Sequence, residues 1–189
     1  VYAKLTSRVS RALDFRQILL DACAEANGVA YDYSQFDEAY NGMGTTIVGG
    51  VIKNNGNGYI INVGDSRAYY ISRRNDAIEQ VTRDHSLVEE LVEYGAITKD
   101  QARRHPQRNV ITRALGSEAT VEADYYEVNL QSGDILLLCS DGLSNLISEL
   151  EMLDYAKEYP EPELLCRALM SKALMRGAPD NVTVLAVMK

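Results

Sequence analysis

Apolar residues in the first part of the chain recur at the spacing of an α-helix. The helix is predicted to begin at Asp14, which with Gln17 three residues later has the form of a capping box. The residues of its apolar face are Ile18, Leu19, Ala22, Ala26, Val29, Ala30 and Tyr33. This spacing predicts an amphipathic helix, and we expect its apolar face to pack on the core rather than to bind a partner.

After Gly44 the pattern changes to that of β-strands. Residues 45–52, 58–63 and 68–72 are rich in Val, Ile, Thr and Tyr and are separated by Asn-Gly and Gly-Asp turns, which predicts an antiparallel meander. The run Asn-Asn-Gly-Asn-Gly at 54–58 is expected to be a hairpin loop. Further strands are predicted at 123–130, 135–139 and 182–188.

Shorter helices are predicted between these strands. They are 86–94, 98–104, one that begins at Ser148, and 163–176. Capping boxes mark two of the starts, Thr98 with Gln101 and Ser148 with Glu151, and Gly177 is placed to end the last helix. Because the polar stretch 103–113 interrupts the sheet, we interpret the whole of 86–113 as a candidate mobile flap.

The grouping of strands together, with helices beside them, predicts an α+β fold rather than alternating βαβ units. A chain of 189 residues suits one domain with a sizeable core. The net charge of −8 argues against a nucleic-acid surface, which needs clustered Lys and Arg. No apolar run approaches the roughly 20 residues that span a bilayer, so no membrane segment is predicted.

The cysteines bear on the compartment. Cys23, Cys139 and Cys166 are odd in number, widely spaced and set among apolar residues. We interpret them as buried, reduced thiols rather than as disulfides or zinc ligands. This usage indicates a cytoplasmic protein.

Three short acidic turns lie where apolar strands begin or end. Asp65 follows 59–63, Asp141 follows 135–139, and Asp180 precedes 182–187. A lone Asp-Gly or Asp-Asn is usually only a turn, but carboxylates at the ends of strands can converge on one point. Because hard divalent cations prefer such oxygen ligands, the three together favour a metal site.

The segments around these turns resemble a known family. They are, in chain order, Gly-Met-Gly-Thr-Thr at 42–46, Asn-Val-Gly-Asp-Ser-Arg-Ala at 62–68, Asp-His-Ser-Leu-Val at 84–88, His-Pro-Gln-Arg-Asn at 105–109, Thr-Arg-Ala-Leu-Gly at 112–116, Gly-Asp at 133–134, Cys-Ser-Asp-Gly-Leu at 139–143 and Asp-Asn-Val-Thr-Val at 180–184. From about residue 42 to 188 the chain resembles the bacterial branch of the metal-dependent protein serine/threonine phosphatases, the type 2C family.

The resemblance implies a fold, a reaction and a set of ligands. The fold is a four-layer αββα sandwich of two antiparallel sheets, and the reaction is hydrolysis of phosphoserine and phosphothreonine by metal-activated water at a binuclear manganese or magnesium centre. Asp141 and Asp180 match two ligands of the first metal, and Asp65 matches a residue that, with the Asp141 position, holds a third, weaker ion. Asn109 is a looser match beside that third ion. The implied partners are phosphorylated proteins, including a serine/threonine kinase and its substrates.

One departure from the family pattern bears on activity. Family members carry an early acidic residue and an Asp-Gly-Met-Gly-Gly turn that supply the other half of the two-metal centre, and neither is in this sequence. Residues 1–5 resemble the helix that normally follows that turn. We therefore expect residues 1–189 to be a single phosphatase domain without its N-terminal strands and metal ligands, poorly active alone.

The sequence leaves a rival hypothesis open, a non-catalytic phosphoprotein-binding or regulatory module on the same scaffold. Retention of Asp141 and Asp180 favours the enzyme, since we expect them to be adjacent buried carboxylates, which repel each other and have no use in a module without a metal. An unperturbed imidazole titrates near neutrality, but neither His85 nor His105 matches the family's catalytic histidine, so we expect structural or flap roles. Arg108 and Arg113 are read as solvated, with phosphopeptide contact as the alternative. No catalytic residue beyond the metal ligands is predicted.

Overall fold

The structure, a computed structural model, describes residues 14–36 and 38–189. The prediction for residues 1–5 lies outside this part of the chain. The helices are α1 (Phe15–Phe36), α2 (Leu87–Glu93), α3 (Lys99–Ala102), α4 (Asp141–Ser144), α5 (Glu149–Glu158) and α6 (Pro162–Met175), with a 3-10 turn at Glu38–Tyr40. The strands are β1 (Ile47–Ile52), β2 (Asn57–Val63), β3 (Arg67–Ser72), β4 (Ala77–Gln80), β5 (Asp124–Asn129), β6 (Ile135–Cys139) and β7 (Val184–Met188).

The strands form two sheets. One has the order β1-β2-β5 and the other the order β4-β3-β6-β7. Pairing in the second sheet is antiparallel throughout. The predicted α+β class, with antiparallel sheets flanked by helices, is therefore confirmed.

The chain divides into two compact units. The first takes its described residues from Val1–Gly50, Tyr59–Asp65 and Arg83–Tyr125, and the second consists of Val51–Gly58, Ser66–Thr82 and Tyr126–Lys189. Within the described residues, no helix has the length and apolar character needed to cross a membrane.

Helix α1 belongs to the first unit and begins as predicted. The carboxylate of Asp14 accepts a hydrogen bond from the backbone N–H of Gln17 at 3.2 Å. Its apolar face is narrower than predicted, because Val29 and Tyr33 are 55% and 59% exposed. The buried residues of the helix are Ile18, Leu19, Ala22, Cys23, Asn27 and Ser34.

Polar Asn27 is buried because it fixes a loop. Its Nδ2 donates to the backbone carbonyl of Glu118 at 3.0 Å, and its Oδ1 accepts from the N–H of Gly116 at 2.9 Å. A buried amide that satisfies several backbone groups contributes more to a unique loop conformation than an apolar residue could. The loop after Arg113 is thereby held against the helix.

The second unit has its core between the sheet and helices α5 and α6. The buried side chains that meet there include Tyr69, Ile71, Leu137, Met152 and Leu169. Ser148 and Glu151 form the predicted capping box at the start of α5, as Thr98 and Gln101 do at α3. These caps satisfy backbone N–H groups that the first helical turn leaves without partners.

Residues 86–111 form a loop whose base is closed by backbone bonds. Ser86 forms a bridge with Ile111, the N–H of Leu87 donates to Val110 at 2.9 Å, and the N–H of Thr112 donates to the carbonyl of His85 at 2.9 Å. The predicted helices α2 and α3 lie inside this loop. The two ends of the candidate flap are therefore joined to each other by backbone hydrogen bonds.

His85 is buried at the base of this loop. Its side chain is 5% exposed, and its Nε2 lies 3.3 Å from the Asp124 carboxylate. Arg113, read as solvated from the sequence, instead pairs with the same carboxylate at 3.0 Å. Burial lowers the pKa of His85, with a smaller lowering from the Arg113 charge and an opposing rise from the hydrogen bond to Asp124.

We predict that the flap exchanges amide hydrogens faster than the sheet. Helices α2 and α3 are short, and α2 has no buried residue, so the flap, residues 86–113, should open at lower free energy than β6. Native-state hydrogen exchange measures this directly. Protection of 86–113 as high as that of Ile135–Cys139 would refute a mobile flap.

A second prediction concerns pH. The pKa of His85 is lower in the folded than in the unfolded state, so the unfolded state binds more protons just below the ordinary histidine pKa of about 6.5. Stability should therefore be lost as pH falls from 7 to 5 and regained as it rises. Urea unfolding of the parent and of His85→Asn between pH 5 and pH 7 tests this prediction. The free energy of unfolding should change less with pH in the variant than in the parent. An equal change in both proteins would contradict the prediction.

Candidate metal centre

The turns that carry Asp141 and Asp180 lie on adjoining segments of the second unit. Strand β6 ends at Cys139, which pairs with Val184 at the start of β7. Because the two strands are antiparallel, the residues after Cys139 and those before Val184 leave the sheet at the same end of the strands. The sequence pattern thus placed two acidic turns beside each other.

Ser140 and Gly142 join the two turns. The N–H of Ser140 donates to the carbonyl of Thr183 at 3.1 Å. The Ser140 hydroxyl accepts from the N–H of Thr183 at 3.0 Å and donates to the carbonyl of Asn181 at 3.2 Å. At Gly142 a Cβ would lie 2.3 Å from the Asn181 carbonyl oxygen, so only glycine permits this approach.

Asp141 and Asp180 differ in their surroundings. Asp141 is half-buried at the first position of α4, where Asn145 donates to its Oδ2 at 3.2 Å. Asp180 is exposed, and its Oδ1 accepts from the N–H of Asn181 at 2.7 Å. The expectation of a buried pair of carboxylates is therefore wrong for Asp180, because the turn that carries it projects from the surface of the unit.

Asp65 belongs to the first unit and is half-buried just after β2. The preceding Gly64 has φ +105°, and a Cβ there would lie 2.3 Å from Cγ2 of Thr46. The N–H of Gly64 donates to Nδ1 of His85 at 3.0 Å. Its carbonyl accepts from Nδ2 of Asn62 at 3.1 Å and from the N–H of His85 at 3.0 Å.

The donor set suits a hard divalent cation, although it is small. Carboxylate oxygens are the ligands that magnesium prefers, and this ion is often held by one or two carboxylates together with water and substrate oxygens. The described residues include no group of three or more His, Cys, Asp or Glu side chains placed to hold a metal ion. Asp141 and Asp180 therefore fit such an ion as two ligands, with the rest of its shell from other sources.

The remaining candidates take structural roles or stand at the surface. Nδ1 of His105 accepts a hydrogen bond from the N–H of Gln107 at 3.2 Å, within its own turn. Asn109 and Arg108 are exposed. The predicted structural role of His85 is seen in its bond to Gly64.

Sequence reasoning missed the residues that fix the acidic turns. Asn62 is fully buried in β2, a position where an apolar residue would be ordinary, and the partner of Gly64, His85, lies 21 residues after that glycine. A polar residue inside an apolar strand is the signal that could have drawn attention to Asn62. Ser140 and Gly142 could have been noted as small residues next to Asp141, but nothing local indicates their partners.

Three comparisons place the chain among known proteins. The model of the family described as protein phosphatase 2C matches residues 3–182. The serine/threonine phosphatase stp of Listeria innocua is 40% identical over 184 residues, which cover 97% of this chain and 72% of that protein. The crystal structure of serine/threonine phosphatase Stp1 from Staphylococcus aureus superposes with a TM-score of 0.89 at 36% identity, covering 99% of this chain and 74% of that one.

A further solved structure bears on the metal. The catalytic domain of serine/threonine protein phosphatase PstP, in complex with two manganese ions, has a TM-score of 0.84 and 31% identity, and the match covers 98% of this chain and 76% of that one. These findings confirm the predicted family and, with it, the predicted class of enzyme. The chain belongs to the protein phosphatase 2C family, the metal-dependent protein serine/threonine phosphatases.

Proposed function

We propose that residues 1–189 form one phosphatase domain in which Asp141 and Asp180 bind a manganese or magnesium ion of a two-metal centre that hydrolyses phosphoserine and phosphothreonine in proteins. The observation that supports this most is the pair of Ser140 hydroxyl bonds, which hold the two acidic turns side by side. Asp65 is proposed to bind a further, weaker ion. The family match over residues 3–182 supports a single domain.

The chemistry divides between the ions and the chain. When bound, such ions acidify a water and neutralise charge on the phosphoryl oxygens. The half-buried carboxylate of Asp141 would hold an ion in a fixed direction, because Asn145 braces one oxygen and α4 fixes the backbone. The exposed carboxylate of Asp180 would complete the pair from the side open to a large substrate.

The proposed partners are phosphorylated proteins, among them a serine/threonine kinase and its substrates. The proposed compartment is the cytoplasm. Its support is that Cys23, Cys139 and Cys166 form no disulfide, the first two being buried and Cys166 half-buried rather than buried as predicted. Cysteines without disulfides are usual in reducing compartments.

We predict that manganese stabilises the parent and not Asp180→Asn. In the absence of metal the substitution relieves repulsion with Asp141, so stability should be unchanged or rise by about 1 kcal/mol. Saturating manganese should raise the parent Tm by about 5–10 °C. The matched control is Asp154→Asn, an exposed carboxylate on α5 that should respond like the parent. Equal shifts in Asp180→Asn and the parent would refute the ligand assignment.

Activity should depend on Asp141. Asp141→Ala should lower the manganese-dependent kcat/KM on a phosphoserine peptide by at least about 100-fold relative to the parent. That is the upper end of the loss caused by removing a side chain that only hydrogen-bonds to a metal ligand. Manganese titration of the parent gives the reference activity. A protein that binds phosphopeptide but does not release phosphate, whatever metal is added, would instead support the rival binding module.

Gly142 offers a test of how the turns are joined. Gly142→Ala places a methyl group 2.3 Å from the Asn181 carbonyl oxygen, so the turns must separate, which should cost about 1–3 kcal/mol and weaken manganese binding. Gly28→Ala is the control, because nothing lies within 4 Å of its Cβ position in helix α1 and alanine favours a helix. Calorimetric titration with manganese measures the effect, and unchanged affinity in Gly142→Ala would count against the joined turns.

A further inference from the structure

The backbone that leads into Asp65 is fixed at Gly64. Both polar backbone groups of Gly64 are engaged, the N–H by Nδ1 of His85 and the carbonyl by Asn62 and the N–H of His85. Thr46 fills the space that a side chain would take at this position. Since the peptide unit is planar, fixing Gly64 also fixes the direction in which the chain enters Asp65.

The His85 ring is held on both sides. Because Nδ1 accepts from Gly64, the neutral ring carries its proton on Nε2, which lies 3.3 Å from Oδ2 of Asp124. Arg113 donates to the other oxygen of the same carboxylate at 3.0 Å. Every polar atom of the imidazole therefore has a partner, and the ring orientation is determined by groups from three segments of the first unit.

The backbone of His85 joins the same turn to the flap. Its N–H donates to Gly64, and its carbonyl accepts from Thr112 at the far end of the flap. The next residue, Ser86, forms the bridge to Ile111 that closes the loop base. The base of the flap and Gly64 are thus both hydrogen-bonded to His85.

We propose that His85 is a positioning residue that couples the flap to the turn carrying Asp65. It acts through Gly64 and not on substrate. The proposal rests on the ligand role given above to Asp65, and it adds a consequence: a phosphoprotein that orders the flap and an ion bound by Asp65 strengthen each other's binding. By linkage the two effects are equal in size.

The alternative hypothesis is that His85 is a buried histidine that only stabilises the first unit. Two substitutions distinguish the two hypotheses, because each of them keeps one of the two hydrogen bonds of the imidazole ring. His85→Asn places an oxygen near the position of Nδ1 and keeps the acceptor for Gly64. His85→Gln reaches toward the position of Nε2 and keeps the donor to Asp124, but it loses the acceptor for Gly64.

The experiment measures amide exchange by NMR and manganese affinity by calorimetry on both variants. In His85→Gln the Gly64 amide should exchange at least about tenfold faster, and the weakest manganese site should lose about 10–100-fold in affinity, as outer-shell losses do. His85→Asn should stay within about threefold of the parent in both. Leu137 in β6 is the internal reference and should not change.

A purely structural histidine gives a different result. It predicts that both variants lose stability and that neither differs from the other in Gly64 exchange or manganese affinity, an outcome that overturns the proposal. If a variant fails to fold, the parent decides: long-range proton–nitrogen spectra should show Nδ1 of His85 unprotonated and Nε2 protonated, and the opposite tautomer overturns the proposal.

Asp65→Asn separates this proposal from the ligand assignment. If that variant loses the weakest manganese site, Asp65 is a ligand, and the manganese affinities of the His85 variants test the coupling. If it binds manganese like the parent, the ligand role of Asp65 is wrong, and only the amide exchange rates test the coupling. In that case His85→Gln must still accelerate exchange at both Gly64 and Thr112, and unchanged rates at either refute it.

Discussion

The arrangement of Asp141 and Asp180 depends on the two hydrogen bonds of the Ser140 hydroxyl. The hydroxyl accepts from Thr183 and donates to Asn181, so a single oxygen satisfies a donor and an acceptor of the segment that follows Asp180. The sheet alone would bring the two segments to the same end of the strands, but pairing ends at Cys139 and Val184. Ser140 continues the contact beyond the last pair, to the point where the acidic residues stand.

The backbone next to Asp65 is also held in place, but by different groups. There the chain passes from β2 into a turn with a glycine at φ +105°, and side chains bind the backbone of that glycine. In both places the polar residues that matter are not acidic. Carboxylates bind a metal more tightly where their backbone is already fixed, because less conformational entropy is then lost on binding. The buried side chains of Asn62 and His85 hold the backbone of Gly64, the residue before Asp65.

Much of the fold could be predicted because its signals are local. The capping boxes at Thr98 and Ser148 lie within one helical turn, and the apolar run of β6 was predicted residue for residue. Strand β4 was missed because Ala77–Gln80 holds one large apolar residue, Ile78, and its pairing with β3 depends on the turn between them. Two of the seven residues predicted for the apolar face of α1, Val29 and Tyr33, are exposed instead, since burial there follows the position of neighbouring segments rather than the helical period.

The candidate site divides in the same way. The acidic turns could be found from the sequence, as strand ends are visible in the hydrophobic pattern. The bond from Gly64 to His85 and the clamp of Ser140 on Thr183 join residues 21 and 43 positions apart, and only the tertiary structure reveals them. The solvent exposure of Asp180 was equally invisible, because a turn residue before a strand can face either way.

The most direct test of the central claim is the position of the metal itself. Crystals grown with manganese and measured at its absorption edge should show an anomalous peak in contact with carboxylate oxygens of both Asp141 and Asp180. Such a peak would establish that the joined turns form a single binding site. Ordered density for both turns, with manganese bound only elsewhere, would contradict the account.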